Sequence, residues 1–111
     1  MTRHFEVHVT TGTREEAEAI CTTVVHRRVA ACAQVVGPIR SVYWWEGEVQ
    51  RDDEFLILMK TGAERLDDLV DAVKAVHSYT TPEIVAVPIE GGLADYLNWI
   101  TAETARRPPA G

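Results

Sequence analysis

Five consecutive apolar residues, Phe55-Leu56-Ile57-Leu58-Met59, stand near the middle of the 111-residue chain. Successive side chains of a β-strand point to opposite faces of the sheet, so a strand over this stretch is apolar on both faces. That pattern is typical of a strand that is buried on both sides. The stretch therefore predicts a central strand, and each face of its sheet needs a cover.

Upstream of this strand, the sequence alternates between strand and helix patterns. Residues 5–10 alternate apolar and polar side chains, which predicts a first strand. Thr13-Arg14-Glu15-Glu16 has the form of a capping box, which starts a helix. An apolar stripe at three- and four-residue spacing carries that helix to about Arg28. A second strand is predicted from Ala31 to about Trp45, with a bulge, kink or edge position at Gly37-Pro38.

The reversal from the second strand into the central one has two candidate positions. Glu46-Gly47-Glu48 and Arg51-Asp52-Asp53 both carry residues that favour turns. Downstream, Thr61-Gly62-Ala63-Glu64 repeats the capping-box pattern, and an apolar stripe predicts a second helix that ends near His77. A fourth strand is expected over residues 83–89, its end at a sheet edge because Pro88 lacks an amide donor.

Leu93, Tyr96, Leu97 and Ile100 predict a last short helix. The order is then β-α-β-β-α-β with a C-terminal helix, an α+β split βαβ arrangement with both internal helices on one face of a four-stranded antiparallel sheet. We expect one domain over residues 1–105 and a flexible tail over 106–111. The second face of the central strand is left uncovered, which predicts an oligomer.

Composition narrows the classes of function. The chain carries 17 Asp and Glu against 11 Lys and Arg, a net charge of -6, which argues against nucleic acid or an anionic membrane surface as a partner. No apolar stretch approaches membrane-spanning length and the N-terminus does not resemble a signal peptide, so we expect a cytoplasmic protein. The two cysteines, Cys21 and Cys32, are too few for a disulfide framework.

Several motifs occur together in an order and spacing that resembles the CutA family. The resemblance runs from about Phe5 to Trp99. It implies a ferredoxin-like fold assembled as a homotrimer with clefts between subunits, similar to PII signalling proteins, and a role in tolerance of divalent cations, copper especially. The motifs are Ala30-Ala31-Cys32, Ser41-Val42-Tyr43-Trp44-Trp45-Glu46-Gly47, Lys60-Thr61, His77-Ser78-Tyr79-Thr80-Thr81-Pro82-Glu83-Ile84 and Asp95-Tyr96-Leu97-Asn98-Trp99-Ile100.

Two residues are candidate metal ligands. His77 follows the second helix and offers an imidazole nitrogen, although a histidine at that position also serves as a helix cap. Cys32 matches the family's Ala-Ala-Cys segment and offers a thiolate to a soft metal such as copper, the alternative being a small buried apolar residue. Three positions depart from the family pattern that would support a strong copper site: Thr10, Val76 and Ser78.

A small-molecule cleft is the second candidate site. Its side chains supply stacking, acceptor and donor groups at a subunit boundary, and packing within a trimer is their alternative role. The candidates are Trp45, Glu46, Lys60, Tyr79 and Glu83. Asp52, Asp53 and Glu54 would form a weak cation site if clustered, but such a run is usually a solvated turn. His4, Glu6 and His8 share one strand face, where bonds between subunits or a metal are alternatives.

No catalytic motif is present, so we predict no enzyme. The first functional hypothesis is a trimeric protein that binds a divalent cation, copper first, or another ligand. The alternative is a PII-like signalling scaffold that binds a nucleotide-like or anionic metabolite in clefts between subunits, with Arg and Lys near the cleft as its signature.

Overall fold

The computed structural model describes residues 3–107 as four strands, three helices and one 3-10 turn. Of the tail predicted over residues 106–111, residues 108–111 lie outside the described part of the chain. The elements are β1 His4–Thr11, α1 Arg14–His26, β2 Cys32–Trp45, β3 Glu48–Gly62, the 3-10 turn Ala63–Arg65, α2 Leu66–Val76, β4 Ile84–Pro88 and α3 Ala94–Thr104. None of the helices within residues 3–107 has the length and hydrophobicity to cross a membrane.

The sheet has the strand order β2-β3-β1-β4, with every neighbouring pair antiparallel. The apolar stretch at 55–59 lies in β3, between β1 and β2, so the predicted interior strand is confirmed. β4 lies at an edge of the sheet, so the missing amide donor of Pro88 does not remove a hydrogen bond between interior strands. This is the predicted α+β arrangement, a ferredoxin-like β-α-β-β-α-β sandwich with a C-terminal helix.

One face of the sheet forms the hydrophobic core with α1 and α2. Each fully buried Val, Ile or Leu side chain contributes about 1.5–3 kcal/mol relative to an exposed one. Alternation along the strands directs one set of apolar side chains to this face, and the helix stripes supply the other set. The buried residues include Val7, Val9, Ile57 and Met59 from the strands and Ala17, Ile20, Val24, Leu69, Ala72 and Val73 from the helices.

The opposite face carries the other half of the apolar strand residues. Leu56 and Leu58 are half-buried there, and three valines of the same face are 43–48% exposed. Val36 on β2 lies beside Leu56, whereas Val85 and Val87 on β4 lie beyond the polar β1 residues His8 and Glu6. Neither α1 nor α2 packs on this side, which we call the open face. The predicted two-faced apolar strand is therefore covered by α1 and α2 on one face, whereas α3 contacts the open face at His4 and Cys32 and the exposed valines leave apolar surface there that another copy can cover.

The hairpin between β2 and β3 turns at Glu46 and Gly47. Both residues have positive φ angles, 51° and 82°, as a two-residue turn of the I′ type requires. Arg51-Asp52-Asp53, the other candidate turn, lies within β3. The predicted irregularity at Gly37-Pro38 is confirmed as a shift in strand pairing between Val36 and Ile39.

The two predicted capping boxes have different outcomes. The Thr13 hydroxyl accepts a hydrogen bond from the Glu16 amide at 3.1 Å, so this cap is confirmed, but the Glu16 carboxylate bonds Ser78 instead of reaching back. The second capping box was wrong. Thr61 belongs to β3 and its hydroxyl donates to the Val29 carbonyl at 2.7 Å, so that the 3-10 turn begins after Gly62 without a side-chain cap.

Candidate functional site

A cleft of about 650 Å³ opens between the β2–β3 hairpin and the loop that follows α2. We call it the hairpin cleft. Because β2 and β3 extend as a long hairpin, they bring their side chains to the loop that β1 and α2 hold in place. The lining includes Thr10, Tyr43, Trp45, Glu54, Tyr79 and Glu83.

Glu54 and Tyr79 form the inner contact of the hairpin cleft. The Tyr79 hydroxyl donates to Glu54 Oε2 at 2.8 Å, and Glu54 is only 6% exposed. Burial, followed by the hydrogen bond to Glu54, raises the pKa of Tyr79 well above its ordinary value. The hydroxyl therefore stays protonated at neutral pH and holds the carboxylate in the cleft.

The acidic run Asp52-Asp53-Glu54 is not a solvated turn, and its three carboxylates do not cluster. Asp53 pairs with Arg40 at 3.1 Å, and Asp52 accepts from the Tyr43 hydroxyl, which raises the pKa of Tyr43. Only Glu54 is buried and lines the cleft. A strand sends Asp53 to the face opposite Asp52 and Glu54, so the run does not bring three carboxylates together in the described part of the chain.

His77 ties the loop after α2 to β1. Its side chain is fully buried, with Nε2 at 2.7 Å from the Thr10 carbonyl oxygen and Nδ1 accepting from the Tyr79 amide at 3.0 Å. A carbonyl only accepts and an amide N–H only donates, so the proton of the neutral ring lies on Nε2. Both nitrogens of this candidate metal ligand are thus engaged within the subunit.

Cys32, the other candidate ligand, lies at the start of β2 and is half-buried. Its Sγ is 3.5 Å from the Tyr96 hydroxyl, and this contact raises the pKa of Tyr96. Cys32 pairs with Lys60 of β3, which in turn pairs with Glu6 of β1. His77 instead contacts Thr10, at the other end of β1. Glu6 and Thr10 are four residues apart on β1, about 13 Å. One subunit therefore does not bring Cys32 and His77 to a common metal ion.

Three of the five predicted cleft residues meet in the hairpin cleft: Trp45, Tyr79 and Glu83. Glu46 lies in the adjacent turn and does not line it. Lys60 lies on the open face, where its Nζ donates to Gln34 Oε1 at 2.6 Å and is 3.7 Å from Glu6 Oε1. Among the described lining residues there is consequently no lysine or arginine.

Tyr43 and Glu54 line the cleft but were not among its five predicted residues, although Glu54 was considered for a weak cation site. Tyr43 alternates with Trp45 along β2, so the two share a strand face, and this spacing could have indicated it. Glu54 shares no local pattern with Tyr79, its partner 25 residues away.

The polar residues on one face of β1, namely His4, Glu6 and His8, make two separate contacts. His8 Nε2 is 2.8 Å from Glu6 Oε2, and this hydrogen bond, together with Lys60, lowers the pKa of Glu6. His4 hydrogen-bonds Thr101 of α3 instead. Within residues 3–107 no group of three or more His, Cys, Asp or Glu side chains is arranged to hold a metal ion.

The sequence and the fold match one family of known proteins. Residues 5–103 match the family described as CutA1 divalent ion tolerance protein. The divalent-cation tolerance protein CutA of Archaeoglobus fulgidus is 43% identical over 97 residues, which are 87% of this chain and 94% of that protein. The chloroplastic protein CutA 1 of Oryza sativa is also 43% identical, over 98 residues, and the match spans 55% of its length.

Solved structures agree with this assignment. The crystal structure of CutA1 from Oryza sativa superposes with a TM-score of 0.90 at 40% sequence identity, covering 96% of this chain and 97% of the other. That of CutA1 from Thermus thermophilus superposes with a TM-score of 0.89 at 41% identity, covering 92% and 99%. The chain therefore belongs to the CutA1 divalent ion tolerance family.

Proposed function

We propose that this chain acts in divalent-cation tolerance as a non-enzymatic protein that binds a divalent cation, with copper as the first candidate. The name of its relative from Archaeoglobus fulgidus supports the link to divalent cations, and neither relative above is named for a reaction. The net charge of -6 also favours a cation over an anion as ligand.

The charge of the hairpin cleft carries the proposal. Glu54 and Glu83 line it together with hydroxyl groups, and no described lining residue is basic. Carboxylate and hydroxyl oxygens attract a divalent cation, and Tyr79 bonds only one of the two carboxylate oxygens of Glu54. The nucleotide-like ligand of the alternative hypothesis would need basic side chains that this lining does not contain.

Cys32 and His77 are the alternative ligands. A thiolate or an imidazole suits copper better than a carboxylate does. Cys32 is the more available of the two, since metal binding at His77 would break its bond to Thr10 or to Tyr79. We therefore treat Cys32 as the second location to test.

Two carboxylates alone form an incomplete cation site, and a second copy of the chain can supply further ligands. We propose a homotrimer: the apolar open face supports association, and the number three follows from the family resemblance. We also propose a cytoplasmic location, because Cys21 and Cys32 are both free thiols, as is usual in a reducing compartment.

Calorimetric titration with Cu²⁺, Zn²⁺ and Ni²⁺ tests the cation proposal. We expect saturable binding by the native protein and a loss of affinity of at least about tenfold in Glu83→Gln and in Glu54→Gln, because each substitution removes one anionic ligand. Glu18→Gln is the matched control, an equally conservative change on the exposed side of α1.

The Cys32→Ala variant completes this experiment. Retained binding in Cys32→Ala, with loss in the two cleft variants, supports the hairpin cleft. Loss in Cys32→Ala alone would move the cation to the thiol. A native protein that binds none of the three metals would overturn the proposal of direct binding.

A further inference from the structure

A second cavity, of about 360 Å³, lies where the C-terminal ends of α1 and α3 meet the 3-10 turn before α2. Among the described residues it shares none with the lining of the hairpin cleft. Five of its seven described lining residues are arginines, and a histidine is a sixth. We call it the arginine pocket. The arginines are Arg27, Arg28, Arg65, Arg106 and Arg107.

The arginine pocket reverses the charge of the rest of the chain. The whole sequence has 11 Lys and Arg and a net charge of -6. Nearly half of those basic residues therefore line one cavity in an acidic protein. An even scatter of solubilising charges would not produce this concentration.

Acidic partners neutralise only part of this charge. Asp68 Oδ2 is 3.0 Å from Arg65 Nε and 2.9 Å from Arg106 Nη2, and Glu103 Oε2 is 2.9 Å from Arg28 Nη1. Two carboxylates thus serve three arginines. Arg27 and Arg107 have no side-chain partner within residues 3–107, so the pocket keeps an excess of about three positive charges by whole-charge counting.

The fold holds part of this cluster in a fixed position. The Arg65 side chain is 13% exposed and also donates to the Thr104 carbonyl at 3.1 Å, at the end of α3. Arg28 donates to the Glu103 carbonyl at 3.3 Å and has a left-handed backbone, with a φ of 58°. Glycine is the usual residue at such a position after a helix, because other residues adopt it at a cost in free energy. An arginine at this strained position is consistent with a role for its side chain.

We propose that the arginine pocket binds a small anion that carries two or more phosphate groups. Guanidinium groups bind phosphate oxygens through paired hydrogen bonds, and groups from three different elements can surround a polyanion. The cavity admits the charged end of a small molecule, and the negative charge of the remaining surface disfavours a long nucleic acid. This site is independent of the cation proposed for the hairpin cleft.

Calorimetric titration with inorganic tripolyphosphate, with ATP and with adenosine tests the proposal. Divalent cations are first removed with a chelating resin, so that binding at the hairpin cleft does not contribute. We expect tripolyphosphate and ATP to bind and adenosine not to bind. The double variant Arg27→Ala/Arg107→Ala should weaken tripolyphosphate binding at least about tenfold, because it removes two charged donors that no other described residue uses.

The control removes the same charge from the hairpin, in Arg40→Ala/Arg51→Ala. It should leave the affinity for tripolyphosphate within about twofold, since neither residue lines the arginine pocket. Circular dichroism confirms that both double variants fold. Binding of ATP without binding of tripolyphosphate, equal loss in the two double variants, or no binding of either anion by the native protein would overturn the proposal.

Discussion

Introducing two glutamates on the open face, in Val85→Glu/Val87→Glu, should convert the proposed trimer into single chains of 12.4 kDa. Val85 and Val87 are 48% and 43% exposed in one subunit, where they pair with His8 and Glu6 of β1 on the open face. Burying an unpaired carboxylate costs several kcal/mol. Two such charges should weaken subunit association by more than about a thousandfold. Sedimentation equilibrium measures the change, from three times the chain mass to one.

The matched control introduces two glutamates on the helices instead, in Val25→Glu/Val76→Glu. These valines are 38% and 48% exposed, so the double change alters hydrophobicity and charge by the same amount. We expect it to leave the mass of the assembly unchanged. A native protein that sediments as a single chain, or two double variants that dissociate alike, would contradict the role of the open face.

Replacing His77 with alanine should lower the free energy of unfolding by about 3 kcal/mol, the second large effect. The substitution leaves the Thr10 carbonyl and the Tyr79 amide without their partner and removes a buried ring. Urea unfolding at one fixed protein concentration, without added metal, measures the loss. A residue that serves only as a metal ligand would show little change in this metal-free experiment.

His26→Ala is the control for the His77 prediction. His26 ends α1 and is exposed, so its loss should change the free energy of unfolding by less than about 0.5 kcal/mol. Equal stability losses in the two variants would show that the two hydrogen bonds of His77 are not what stabilises the loop.

Patterns of side-chain alternation predicted most of the fold. The stretch at 55–59 is apolar at every position, and this alone required an interior strand with two covered faces. Turn chemistry was less decisive, because Arg51-Asp52-Asp53 carries the same signals as the actual turn. Those residues stay extended because Arg40 and Tyr43 on β2 pair with two of them across the hairpin. Local preference yields to such cross-strand partners.

Hydrogen bonds between distant residues explain the wrong capping box at Thr61 and the contacts of the His77 ring that the sequence did not predict. Thr61 satisfied the local capping pattern, but its hydroxyl bonds the Val29 carbonyl 32 residues away. For His77 the sequence left a helix cap and a metal ligand as alternatives. Its backbone amide does end α2, at the Val73 carbonyl, while its ring bonds β1, 67 residues away. Neither partner is visible in a local sequence window.

The candidate cleft residues came from the family resemblance, which predicted part of the site. Trp45, Tyr79 and Glu83 were expected in a cleft and meet there. Lys60 was expected with them but points to the open face, in register with Glu6. Because Lys60 does not line the cleft, the charged side chains among the described lining residues are acidic instead of mixed in sign. This acidic lining favours a cation over an anionic metabolite as the ligand.

The central claim is that a divalent cation binds in the hairpin cleft of the assembled protein. Anomalous diffraction at the copper absorption edge, from crystals of the native protein grown with Cu²⁺, tests it most directly. We predict a peak between the carboxylates of Glu54 and Glu83, and its loss in crystals of Glu83→Gln. A map without a peak in the hairpin cleft would contradict the claim.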